Sequence, residues 1–263
     1  MNILLTNDDG IDAPGLKALL LSVPSGMRVV IAAPASERSA SSHSISLGQK
    51  LRIEEFEKKG IRQYAVHGTP ADCVKFALVG IPGFKPDLIV SGINQGANTG
   101  VSVYYSGTIS AAREGFINGV PAVAISLASN TFRDFAACAG IARKIIRGYE
   151  TGCFTKNVML NVNVPPLKTR EIRGVKVTKQ AASRFIEEFV AEKEHGDKKV
   201  YTLAGEIEII NADGTSDEEA VLDGFISVTP LKLDLTEYEA LPLLRDWVKN
   251  SANSAKEKEE PHE

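Results

Sequence analysis

Apolar residues in this chain come in short runs, and each run is stopped by a polar or turn-forming cluster. Asn2-Ile3-Leu4-Leu5-Thr6 breaks into Asn7-Asp8-Asp9-Gly10. Arg28 to Ala33 is β-branched and apolar, and is closed by Pro34. Gln63 to Val66, Asp87 to Ser91, Pro121 to Ser126 and Val158 to Val164 repeat the pattern. Runs of this length between turn signals predict strands. Helix signals fall between them. Pro14 opens a run of helix formers to Leu21. Thr69 and Pro70 stand as N-cap and first residue of a helix to about Val79. Ser106-Gly107-Thr108 opens a helix through Ala111, Ala112 and Gly115, and Phe135 to Tyr149 has helical spacing.

Strands that are apolar throughout and alternate with helices predict an α/β fold: a Rossmann-like, mostly parallel sheet with helices on both faces. Between Ala35 and Ser44 lies a serine-rich loop that leads into alternating Ile45, Leu47, Leu51 and Ile53, which predicts a hairpin insertion at about 40–55. After Pro165-Pro166 the helices drop out. Gly174 to Thr178, Glu206 to Ile210 and Gly224 to Thr229 predict strands, with an acidic turn-rich loop at Asn211 to Glu219 and a short helix at Leu241 to Val248. The expected organisation is a core at 1–180, a β-rich C-terminal arm at 181–245 and a disordered tail at 246–263.

Composition narrows the function classes. The 263 residues carry a net charge of -3, so there is no global basic surface for a nucleic-acid polymer. No apolar run reaches the roughly 18 residues of a membrane span, and the N-terminus has no basic leader. Cys73, Cys138 and Cys153 form no C-x-x-C and predict free thiols in a reducing compartment, with cytoplasm the expectation.

Candidate chemistry gathers where strands end, because open parallel sheets bind ligands outside the carboxyl ends of their strands. Asp8 and Asp9 are adjacent acids held by a turn at Gly10. Like charges this close call for a divalent cation or a shared proton; the alternative is a turn with acids near a helix start. Ser39 and Asn94 offer neutral oxygens from later loops. With no histidine or cysteine cluster at zinc spacing, an oxygen-only set selects magnesium or manganese. Ser106, Gly107 and Thr108 at a helix start suit an oxyanion such as phosphate. Gly92, Gly96 and Gly100 let backbone approach a ligand, although Gly92-Ile93-Asn94-Gln95-Gly96 is neither a Walker loop nor a G-x-G-x-x-G. Together these predict hydrolysis of a phosphate ester. A nucleotide-binding module without turnover uses the same crevice. A thiol enzyme at Cys73 has only His67 nearby.

The blocks MNILLTNDDGIDAPG, PASERSASSHSISL, VHGTPADCV, PDLIVSGINQGAN, YYSGTISAAREG and GFISVTPLKLDLT occur in the order of the SurE family of metal-dependent nucleotidases, which the chain resembles to about Thr236. The resemblance implies a Rossmann-like core, arms exchanged in a homodimer or tetramer, and hydrolysis of nucleoside monophosphates at the 5' or 3' position, with polyphosphate as a further substrate. It implies one divalent cation per subunit on Asp8, Asp9, Ser39 and Asn94, and phosphate contacts at Asn98, Ser106, Gly107 and Thr108. Asp8 and Asp9 are the expected catalytic pair, and one of them, Asp9 by preference, orients or deprotonates the attacking water. His43 is open between orienting the serine loop and a structural role. Two stretches depart from the family pattern. Val101-Ser102 replaces the usual acidic residues, and Ala181 to Val200 is acidic where the family is basic and aromatic.

Overall fold

A computed structural model describes residues 1–154, 158–192 and 199–256. Residues 1–231 form one unit and residues from 232 onward a second.

In the first unit the order is β1 (Asn2–Thr6), α1 (Pro14–Ser22), β2 (Arg28–Pro34), β3 (Ile53–Lys58), β4 (Ile61–Val66), α2 (Pro70–Val79), β5 (Leu88–Gln95), α3 (Gly107–Ile117), β6 (Ala122–Leu127), α4 (Ala136–Glu150), β7 (Met159–Val164), β8 (Val175–Val177), β9 (Ser183–Ala191), β10 (Tyr201–Ile209), α5 (Asp217–Leu222) and β11 (Ile226–Leu231). The second unit is dominated by α6 (Leu241–Lys256).

Nine strands make one sheet in the order β3-β4-β2-β1-β5-β6-β7-β11-β8. β4, β2, β1, β5, β6 and β7 run parallel, whereas β3 and β11 are antiparallel to β4 and β7. Alternating side chains feed both faces. Ile3 and Leu5 of β1 join the core beneath α1 and α4, with Leu16, Leu19, Cys138 and Ile145. Leu4 joins the opposite core, with Cys73 and Val74 of α2 and Ile109 and Ala112 of α3. β1 lies between β2 and β5, so the chain first builds outward on one side and then on the other. The crevice created by that reversal opens at the carboxyl ends of β1 and β5.

The α/β architecture is as expected, and four local expectations change. The hairpin insertion is displaced: 40–52 is irregular, and the antiparallel pair is β3 with β4, joined at Lys59-Gly60. Lys59 and Gly60 both take positive φ, the backbone of a two-residue hairpin turn. Within the expected arm, β11 belongs to the main sheet beside β7, and only β9 and β10 stand apart as a two-stranded sheet. The loop at 211–219 is cut short by α5, because Ser216 and Glu219 form a reciprocal cap that starts a helix. The expected tail is helical as far as Lys256, and 257–263 lie outside the described residues.

Candidate active site

β1 delivers Asp8 and Asp9 through a tight turn. Gly10 sits at φ +103, where a side chain would be strained, and Asn7 Nδ2 donates to Gly10 O at 2.9 Å. The serine loop is tied to this turn, since Arg38 N–H donates to Asp8 O at 2.8 Å. β5 continues past its expected end, and a register shift between Gly92 and Asn94 brings Asn94 to the same edge.

Asp8 is buried at the N-terminus of α3. Thr108 donates its hydroxyl to Asp8 Oδ1, and its N–H also serves that carboxylate. Burial pushes the Asp8 carboxyl up, and the Thr108 bonds only partly oppose this. Asp9 is pushed up to about 7, first by burial and then by the neighbouring charge of Asp8, with a Gln95 N–H bond acting against them. Glu37 adds repulsion to both. Gly107 lets the helix start press onto this pair, because a Cβ there would lie 2.8 Å from Asp8 Oδ2.

A cavity of about 690 Å³ opens over this edge, and Asp8, Ser39, Asn94, Asn98 and Ser106 all line it. Asn94 donates Nδ2 to Gly96 O at 2.8 Å, so Oδ1 is the atom it could offer to a cation. Ser39 Oγ donates to Glu37 Oε1 at 2.6 Å. Asp9, Gly107 and Thr108 do not line it themselves but follow closely on residues that do, Asp8 and Ser106.

Two expected phosphate contacts have other partners. Thr108 is bonded to Asp8. Asn98 acts as a strut: its N–H goes to Asn163 Oδ1 at 2.8 Å, its C=O accepts from Asn161 and Asn163, and its Nδ2 meets Ser126 Oγ at 2.8 Å. Ser106 Oγ accepts from Ile109 N–H at 3.1 Å and caps α3; the first-turn N–H of Gly107 has no partner within the helix and could serve an oxyanion.

The structure adds residues that sequence reasoning passed over. Glu37 couples to both aspartates. Glu114 of α3 is buried and meets His43 Nε2 at 2.9 Å and Lys75 Nζ at 2.7 Å, so His43 is part of a bridge between the serine loop and α3. Asn161 and Asn163 carried a legible signal, since two amides at alternate positions of an apolar strand share one face. Asp217 gave none. It accepts from the N–H of Gly100 and Ala181 across long sequence separations.

A doubly wound α/β sheet with paired acids, hydroxyls and a helix N-terminus at its switch point defines a class of oxyanion-handling α/β enzymes. The family model for survival protein SurE matches residues 3–187, and the chain belongs to the SurE family. The 5'-nucleotidase SurE of Symbiobacterium thermophilum is 44% identical over 251 residues, covering 93% of this chain and 97% of that protein. The 5'-nucleotidase SurE of Synechococcus sp. (strain JA-3-3Ab) is 40% identical over 252 residues, covering 94% and 97%. The crystal structure of the SurE protein from Aquifex aeolicus superposes with a TM-score of 0.81 at 36% identity, covering 94% of this chain and 99% of that one.

Proposed function

We propose that this chain is a divalent-metal-dependent 5'-nucleotidase, hydrolysing nucleoside monophosphates to nucleoside and phosphate. The observation that carries the reading is the convergence of Asp8, Ser39, Asn94 and the start of α3 on one cavity at the switch point. The relatives named 5'-nucleotidase support the substrate class.

The residues fit a hard cation. Two carboxylates are held together with no ion-pair partner among the described residues, and Ser39 and Asn94 add neutral oxygens, the donor chemistry of magnesium or manganese. When bound, such an ion supplies Lewis-acid polarisation of the phosphoryl group and a water of lowered pKa. The protein does the rest. Thr108 fixes Asp8 against α3. Asp9, beside the cation, would orient the attacking water or accept its proton. Gly107 N–H and the α3 terminus hold the phosphate and stabilise its charge as the bond breaks.

No helix among the described residues is long and apolar enough to cross a membrane. Cytoplasmic location is part of the proposal, supported by three unpaired thiols. So is a homodimer, or a tetramer built from it. An isolated two-stranded β9–β10 sheet exposing Ile186, Phe189 and Leu203 is marginal alone and is stabilised by pairing or cover.

The test is phosphate release from AMP and GMP with and without EDTA, followed by Mg²⁺ or Mn²⁺ add-back. Metal-dependent release is expected. Release that persists in EDTA overturns the metal mechanism, and binding without release favours a non-catalytic module.

A further inference from the structure

The cavity has two unlike ends. One holds Asp8, Ser39, Asn94 and Ser106; the other is built by Tyr105 and by the β9–β10 hairpin through Phe185, Glu187, Leu203 and Gly205. The Tyr105 and Phe185 rings pack 5.7 Å apart. Along β9, Phe185, Glu187 and Phe189 share a face; their partners on β10 are Ile207, Gly205 and Leu203. Gly205 stands opposite Glu187 with no side chain of its own, and the strands approach closely here, since a Cβ at Gly205 would lie 2.5 Å from Ile186 O.

Size and chemistry decide what enters this end. The cavity falls within the range of about 300–1,000 Å³ that suits a whole small ligand, more than a bare phosphate needs. Among the described residues no Lys or Arg lines it, and Glu187 would repel further phosphates, so a polyphosphate tail is a poor occupant. A flat neutral ring is a good one, because stacking on aromatic side chains suits any nucleobase. Among the described residues, the Glu187 carboxylate has no side-chain partner. A carboxylate only accepts hydrogen bonds. Guanine presents two adjacent donors, the ring N–H and the 2-amino group, which match its two oxygens, whereas adenine and cytosine present a single amino group.

We propose that Tyr105, Phe185 and Leu203 form a nucleobase subsite, and that Glu187 reads the donor edge of the base and selects guanine. The inference rests on the phosphomonoesterase reading above and deepens it.

The experiment compares kcat/KM for GMP, AMP and ribose 5-phosphate, the last having no base. The wild-type chain is expected to prefer GMP over ribose 5-phosphate by about tenfold or more, the worth of one stacked base. Tyr105→Ala and Phe185→Ala should each shrink that ratio severalfold, mainly through KM. Glu187→Gln, a conservative change on an exposed strand, should move the GMP-to-AMP ratio towards one while leaving both well above ribose 5-phosphate. Equal turnover of GMP and ribose 5-phosphate by the wild type, or ratios unmoved in all three variants, overturns the subsite and leaves the phosphatase standing. No phosphate release from any of the three substrates overturns both.

Discussion

His43 Nε2 lies 2.9 Å from Glu114 Oε2, and these two residues, 71 positions apart, lock the serine loop onto α3. Glu114 also holds Lys75 of α2 at 2.7 Å and Asn118 Nδ2 at 2.9 Å. Burial alone would raise the Glu114 carboxyl; the bonds from Lys75 and His43 outweigh it and hold the group below its ordinary 4.5. A depressed acid contributes stability above its unfolded value and loses it as pH falls. Glu114→Ala is expected to destabilise by about 2–4 kcal/mol at neutral pH. In urea unfolding, the gap between wild type and Glu114→Gln should narrow as pH drops below 4.5. A gap independent of pH would show that the charge does not matter.

The aspartate pair predicts a pH-dependent response to metal. Asp9 titrates near 7 in the metal-free fold against an ordinary 3.8. Its contribution is complete below 3.8 and is lost as pH rises through about 7. Metal-free protein should therefore lose thermal stability as pH rises from about 4 to about 7, and level off above that. Added Mn²⁺ should raise Tm more at the upper end, because protons compete with the ion for the same oxygens. Asp9→Asn should flatten both trends and lower turnover about a hundredfold or more. Full turnover in that variant removes Asp9 from the mechanism.

Gly107 is where helix and acid meet. Gly107→Ala places a carbon 2.8 Å from Asp8 Cβ and Oδ2 and 3.1 Å from Pro70 Cγ. Displacement of Asp8 by a fraction of an ångström is expected to cut kcat about tenfold to a hundredfold. The Mn²⁺-induced rise in Tm should shrink in parallel. A loss of kcat with an intact metal response would place the damage at the phosphate rather than at Asp8.

The Asn98 strut can be tested apart from chemistry. Asn163→Ala removes the acceptor for Asn98 N–H and one donor to its C=O. With both groups buried, destabilisation of about 1–3 kcal/mol is expected, seen as a lower urea midpoint at constant m-value. An unchanged midpoint would mean that the loop does not depend on β7.

The sequence by itself determined a good deal. Alternating short apolar runs and helix signals specify the layers, because burying Ile3, Leu4 and Leu5 on both faces leaves a covered parallel sheet as the outcome. Polar clusters that end strands mark the crevice, so Asp8, Ser39, Asn94 and Ser106 were legible as one edge.

What only the tertiary structure decided is where each polar atom is committed. Thr108 serves Asp8, Asn98 braces β7 and β6, Glu114 clamps the serine loop, and Asp217 holds Gly100. The positions of β11 in the main sheet and of the β9–β10 hairpin over the cavity were likewise invisible. Local propensity and period act over a few residues. These bonds and pairings join segments tens of residues apart, and a buried donor finds its partner only when the packed fold brings one within reach.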